Sequence, residues 1–394
     1  MDIIYKLPFP EEICNKIFTF ACKSRHIDLS ASIVKRIIKD SGIRNNFTVK
    51  GGKKDSNTIY DELVNKGGIV MDENGDVVKL YTEDDDGYSL IHYYDKLEVC
   101  FDLYSITCLL PKLTMLCLSD TGINGNMVHL KMLPNLMHID IADEGVYGDI
   151  LHLKWLSKLS KIFLFSTLIY GNIVNMKSLL HLTTIVLVET TVTGDIVNLN
   201  SLANLNELYI GDTDISGDIA HLNSLLNLTD IGLDNTGVTG DISNLLTLTK
   251  LSDLSISDTG ITGDLSSLKP LYNLTRINFR RTNVVGDIVA LKSLTNLIGI
   301  DIAYTDVSGD IAELQSLIHL SEVGLQSTRV SGDINHLKTL VGLNLICLSN
   351  TTVTGDISNL VSLTKLTVLD LSDTNIYGDK DSFKALRTWD SIIL

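Results

Sequence analysis

The sequence predicts a solenoid, a stack of short coils of α/β-type or mainly β character, preceded by a small helical module. Three observations carry this. Glycine recurs at Gly125, Gly148, Gly171, Gly194, Gly217, Gly240, Gly263, Gly286, Gly309, Gly332, Gly355 and Gly378, every step being 23 residues. A leucine stands twelve residues before each of these glycines (Leu113 to Leu366) and another eight after it (Leu133 to Leu386). The apolar residues nine and seven before the glycine, such as Leu254 and Ile256, are two apart, which is strand spacing. The others follow at threes, as in a turn-like return. One strand and one return per period make a coil that buries its leucines only against its neighbours.

Each segment has its own reason. Residues 1–54 hold 11 basic and 5 acidic side chains, net +6, and read as a basic helical module. Pro10 opens a helix at its first turn, with Ile13, Ile17 and Phe20 or Ala21 at helical spacing. A second helix starts near Ser30, with Ile33, Ile37 and Ile38 on one side. Residues 44–60 read as a linker within this region. Residues 55–112 form an N-terminal cap: residues 68–81 are a hairpin about Asn74-Gly75, and residues 101–113 a degenerate half-repeat. Residues 113–394 are twelve 23-residue repeats plus a terminal strand, in which Trp389, Ile392 and Leu394 keep the strand phase. A bare edge strand invites pairing, and Arg387, Trp389 and Asp390 are expected to blunt this one.

Two columns are expected to hold the coils. Threonine sits four before the glycine in eleven copies, with Glu144 the exception, and its hydroxyl can bond the backbone of the adjacent turn. Aspartate follows the glycine in ten copies, from Asp149 to Asp379, and asparagine (Asn126, Asn172) in two. Such an acidic file is either a row of calcium sites or a row of Asx-type turns whose carboxylates accept backbone N–H groups. No second acidic column accompanies it, which favours the turn.

The repeat unit resembles the leucine-rich repeat, as in Leu251 to Ile261, with threonine where that family usually has asparagine. The following G-D-I resembles the G-x-I of the plant-type subclass. The resemblance covers residues 68–394 and implies a right-handed horseshoe or superhelix acting as a recognition scaffold. Leu7 to Phe18 (L-P-F-P-E-E-I-C-N-K-I-F) resembles the start of an F-box. That likeness implies docking on a Skp-type adaptor of a ubiquitin ligase through Leu7, Pro8, Ile13, Ile17 and Phe18.

Charge and composition bound the function. The 394 residues are 44% hydrophobic and 20% charged, with 32 basic against 48 acidic side chains, a net of −16. So acidic a chain repels phosphate, which argues against nucleic acid as a partner. No stretch has the length of a membrane span, and no signal-peptide pattern opens the sequence. Six cysteines without repeated spacing point to free thiols and an intracellular, cytoplasmic setting. Phosphate-loop, serine-elbow and zincin motifs do not occur, so the expected protein is not an enzyme and takes no cofactor or metal. His129, His152, His221 and His336 share a column with Asn175, Asn198, Asn244 and Asn359 and are read as turn hydrogen-bonders.

The binding residues are expected among the variable strand positions, ten, eight and six before each glycine, on the concave face. Phe163, Phe165, Val186, Val188 and Tyr209 are expected to form one apolar patch. Glu207, Asp230 and Asp253 lie beside it, and Arg276 and Arg280 follow. The sequence therefore points to a protein-binding scaffold. The alternatives are an F-box-type substrate receptor and a cell-surface recognition protein.

Overall fold

The computed structural model describes residues 69–71, 77–81, 103–118, 123–142, 145–385 and 390–394. The expected helical module of residues 1–54, with Leu7, Pro8, Ile13, Ile17 and Phe18, lies outside the described residues, as does much of the expected cap. Two compact units divide the chain, Met1–Leu182 and Thr183–Leu394.

A single coil shows how the sequence builds both units. In the coil of Gly263, the strand Asp253–Ser255 buries Leu254 and leaves its two neighbours half-buried. Ile256 follows into the core, and the chain turns at Asp258, whose φ of 52° is left-handed. Thr259 is buried, and its Oγ1 donates to the carbonyl of Ile256 at 2.6 Å, bracing that corner. The threonine thus bonds within its own coil, three residues back, and not to the adjacent turn. A second strand, Gly260–Asp264, then buries Ile261. A 3₁₀ helix, Leu265–Leu268, returns the chain, burying Leu265 and Leu268, with Leu271 and Leu274 beyond it. Each fully buried leucine contributes roughly 1.5–3 kcal/mol.

The coil therefore has two strands, not the one expected. The second strand holds the T-x-V-x-G-D segment, where only one apolar residue marks the inward side, too few to show alternation. The turn-like spacing of the later leucines is the 3₁₀ helix.

The Gly-Asp pair joins coil to coil. Asp264 caps the 3₁₀ helix, its Oδ1 accepting the Ser266 N–H at 2.8 Å. Gly286, one coil on, has φ +116°, and a Cβ there would lie 2.9 Å from Asp264 Oδ1. Only glycine allows both that backbone and that approach. The acidic file is thus a file of Asx-type caps. Asparagines of the histidine and asparagine column serve the same corner: Asn198 and Asn244 donate to the carbonyls of Asp195 and Asp241.

In the first unit, Ile69–Met71 pairs antiparallel with Val77–Tyr81. Val77–Tyr81 pairs in parallel with Met115–Cys117, followed by His138–Asp140 and Lys161–Phe163. The second sheet comprises Gly125–Asn126, Val146–Asp149 and Leu168–Asn172. The expected half-repeat of residues 101–113 contains a helix instead, α1 (Leu103–Leu109). Leu103, Ile106 and Leu110 fall at helical spacing and are buried.

In the second unit, the first sheet runs in chain order from Thr184–Val186 to Ser391–Ile393, all parallel. The second sheet runs from Thr191–Asp195 to Asn375–Tyr377. A short helix, α2 (Lys380–Lys384), replaces the 3₁₀ return in the last copy and buries Phe383. Among the described residues no helix is long and apolar enough to cross a membrane.

Candidate ligand-binding face

The first sheet of the second unit presents its variable side chains in register. Glu207 pairs with Asp230, Asp230 with Asp253, Asp253 with Arg276, Arg276 with Gly299, and Gly299 with Glu322. Parallel neighbours lie about 4.8 Å apart, so three carboxylates stand in one short row. Thr184 donates to Glu207 at 3.3 Å and Thr229 to Asp230 at 2.5 Å. Among the described residues none of the three carboxylates forms an ion pair.

Tyr209 lies alongside. Its register partner is Gly232, and a Cβ on that glycine would meet Tyr209 Cδ1 at 2.6 Å, so the ring lies across the bare backbone of the next coil. Burial, then the charges of Asp230, Asp253 and Glu207, push its phenol up to about 12. Burial and the neighbouring Asp230 also raise the Asp253 carboxyl above its usual range, with Arg276 pulling the other way. The row is a surface where negative charge is crowded and partly dehydrated.

Beyond Asp253 the same sheet is balanced. Arg276 Nη1 reaches Glu322 Oε2 at 3.2 Å across Gly299, the lack of a side chain at Gly299 leaving the path open. Arg280 stands 4.0 Å from Asp301 and 4.6 Å over the Tyr304 ring. Arg281 pairs with Asp258 at 3.6 Å. Burial raises the Asp301 carboxyl, with the Ala303 N–H and Arg280 opposing. Asp234 is structural: it accepts from Ser255 Oγ at 2.6 Å and from the Ser257 N–H at 2.9 Å. The two arginines expected as anchors are thus engaged by acids of their own sheet.

The residues of the expected apolar patch fall in both units. Phe163 and Phe165 belong to the first unit, and Val186, Val188 and Tyr209 to the second. Phe163 is half-buried, its ring 5.5 Å from that of His138, while Phe165 is 42% exposed. Val186 and Val188 are half-buried. Sequence reasoning missed a second apolar area, on the second sheet of the first unit. There Tyr147 pairs in register with Leu168, and Tyr170 lies two residues on, all three exposed. Their alternation about Ile169 was the available sign of that strand.

No protein-family model matches the sequence, and no curated protein sequence matches it. Solved structures do resemble it. The chain is similar to that of the PEPR1–AtPEP1 crystal structure at 21% identity and a TM-score of 0.62, over 74% of this chain and 46% of that one. A TDR receptor gives 23% identity and a TM-score of 0.61, over 69% of this chain and 49% of the receptor. An internalin of Listeria monocytogenes, inlF, gives 23% and 0.56, over 72% and 88%. The chain spans about half the length of the receptor chains it matches. The parallel coils of this chain and its likeness to these structures define the class as the leucine-rich-repeat fold. Within it this chain is a mainly β solenoid of 23-residue G-D-I coils with threonine at the corner.

Proposed function

We propose that the protein is a non-catalytic binding scaffold whose second unit holds a cationic segment of a protein or peptide partner. The ligand lies along Glu207, Asp230 and Asp253, with Tyr209 as the aromatic anchor. The observation that carries this is the row of three in-register carboxylates without an ion pair, where the next residue of the row, Arg276, already has its acid. Burial and then the charge of Asp230 raise the Asp253 carboxyl, and a lysine or arginine of the partner offsets both. Support from likeness comes through the plant peptide hormone receptor RGFR1, solved in complex with RGF2, which has the same fold at 20% identity. The setting we assign is intracellular.

The test is fluorescence anisotropy with the full chain and a labelled arginine-rich peptide, against a neutral peptide of equal length. The triple variant Glu207→Gln, Asp230→Asn, Asp253→Asn is expected to keep its melting temperature or raise it and to bind at least tenfold more weakly. Affinity of the parent is expected to fall with salt. Equal binding of both peptides, or an unchanged affinity in the folded triple variant, overturns the assignment.

A second reading rests on the F-box-like residues Leu7 to Phe18. In it the same face holds the target of a ubiquitin ligase, and Leu7, Pro8, Ile13, Ile17 and Phe18 dock a Skp-type adaptor. Capture of a purified adaptor by the parent, and its loss in Ile13→Asp plus Ile17→Asp, decides that reading without touching the first.

A further inference from the structure

The first unit holds a cluster that no sequence motif announced. Cys117 ends the strand Met115–Cys117, and its register partner is Asp140 on the adjacent strand His138–Asp140. His138 precedes Asp140 by two residues, so the pleat places both side chains on one side of the sheet. Ile139 between them is buried in the core, so that side faces away from the core. The Cys117 sulfur, an imidazole nitrogen of His138 and a carboxylate oxygen of Asp140 lie within 4.8 Å of one another. Cys117 is buried, and His138 and Asp140 are half-buried.

We propose that Cys117, His138 and Asp140 form a binding site for a divalent transition metal of the zinc class. The ligand set decides the ion: a thiolate and an imidazole select zinc-like metals, whereas calcium and magnesium take oxygen ligands. Zinc bonds of about 2.0–2.3 Å at tetrahedral angles put ligand atoms roughly 3.3–3.7 Å apart. From separations of at most 4.8 Å the ligand atoms need close by no more than about 1–1.5 Å, a distance that side-chain torsions span. The backbone is already fixed, because Leu118 N–H donates to the Asp140 carbonyl and Ile141 N–H to that of Phe163. The Phe163 ring against His138 restricts the imidazole on its other side. Binding releases the thiol proton to solvent, and the fourth coordination position is left to water or to a group from a ligand.

Titration of the reduced full chain with cobalt(II) tests this, since tetrahedral thiolate coordination gives a sulfur-to-metal charge-transfer band and intense visible bands. One equivalent is expected to saturate them, and zinc(II) to abolish them by displacement. Cys117→Ser is expected to remove the charge-transfer band, and Asp140→Asn to weaken binding at least tenfold. Cys347→Ala, in the other unit, is expected to leave both unchanged. Because Cys117 is buried and its variant can fail to fold, a second measurement uses the parent alone. Zinc is expected to slow alkylation of Cys117 at least tenfold, and that of Cys108 and Cys347 not at all. No band in the folded parent, a band that persists in Cys117→Ser, or no protection of Cys117 overturns the proposal.

Discussion

Two files of carboxylates in the second unit point in opposite directions. After the repeat glycines, Asp264 and Asp356 have carboxyls pulled down, the hydroxyl and backbone N–H of Ser266 and Ser358 favouring the charged form. On the first sheet Asp253 and Asp301 are pushed up: both are partly dehydrated, and Asp253 also faces Asp230. The same side chain on the same coil is a fastener in one place and a source of repulsion in the other. Donors aimed at a carboxylate mark structure, and an acid set against other acids marks a surface that something else completes.

The largest stability effect expected is at the fasteners. Asp264→Ala removes the cap of a 3₁₀ helix and is expected to cost about 1–2 kcal/mol in denaturant melts. The Asp264 carboxyl is lowered in the fold, so its contribution is present above the ordinary carboxylate range and lost as pH falls through the folded value. Parent and variant stabilities should therefore converge in acid. They should also differ equally with calcium and with chelator, and a calcium-dependent rise in the parent's melting temperature would show that the file is more than a file of caps.

A smaller effect, of about 1 kcal/mol, is expected at the glycine under Tyr209. Gly232→Ala must lift the ring, because the new Cβ meets Cδ1 at 2.6 Å. The phenol, now at about 12, should then titrate nearer 10 by ultraviolet absorbance. Gly299→Ala is the matched control. Its Cβ would stand 3.5 Å from both Arg276 and Glu322, an ordinary contact, so the ion pair should survive with little change.

The smallest effect has the opposite sign. The Asp253 carboxyl is raised, so the folded parent loses stability relative to the unfolded chain as pH rises through the carboxylate range. Asp253→Asn is therefore expected to stabilise at pH 7, by about 0.5–1 kcal/mol for a half-exposed charge, with the gain absent in acid. A destabilised Asp253→Asn would place that carboxylate among the fasteners and remove the contrast.

The sequence shows the coil plainly because its core is periodic: Leu254, Ile256 and the leucines at threes are read directly as inward positions. It shows less of the second strand, where Ile261 alone points inward and the glycine conceals the pleat. The helix Leu103–Leu109 is hidden by its similarity to a repeat. At the candidate face the residues themselves are legible, and Glu207, Tyr209, Asp230 and Asp253 come together as the spacing implies. What the sequence does not display is the pairing across coils. Arg276 finds Glu322, 46 positions on, across Gly299 on the strand between them. Cys117, His138 and Asp140 meet only through register, since 21 positions separate Cys117 from His138.

The corner that precedes each buried threonine has a consequence of its own. In ten coils, from Ser166 to Asp373, a residue other than glycine occupies the left-handed region there. Asparagine and aspartate tolerate that backbone, and five of the ten are of those types: Asp212, Asn235, Asp258, Asn350 and Asp373. Glu189, Arg281 and Tyr304 hold it at a cost. These corners are a dispersed margin for adaptation. A lineage that reshapes the outward row toward a new partner, and loses firmness in doing so, can recover it by an exchange to asparagine at a corner outside that row. Recognition and robustness are thereby free to evolve at different addresses of the same coil.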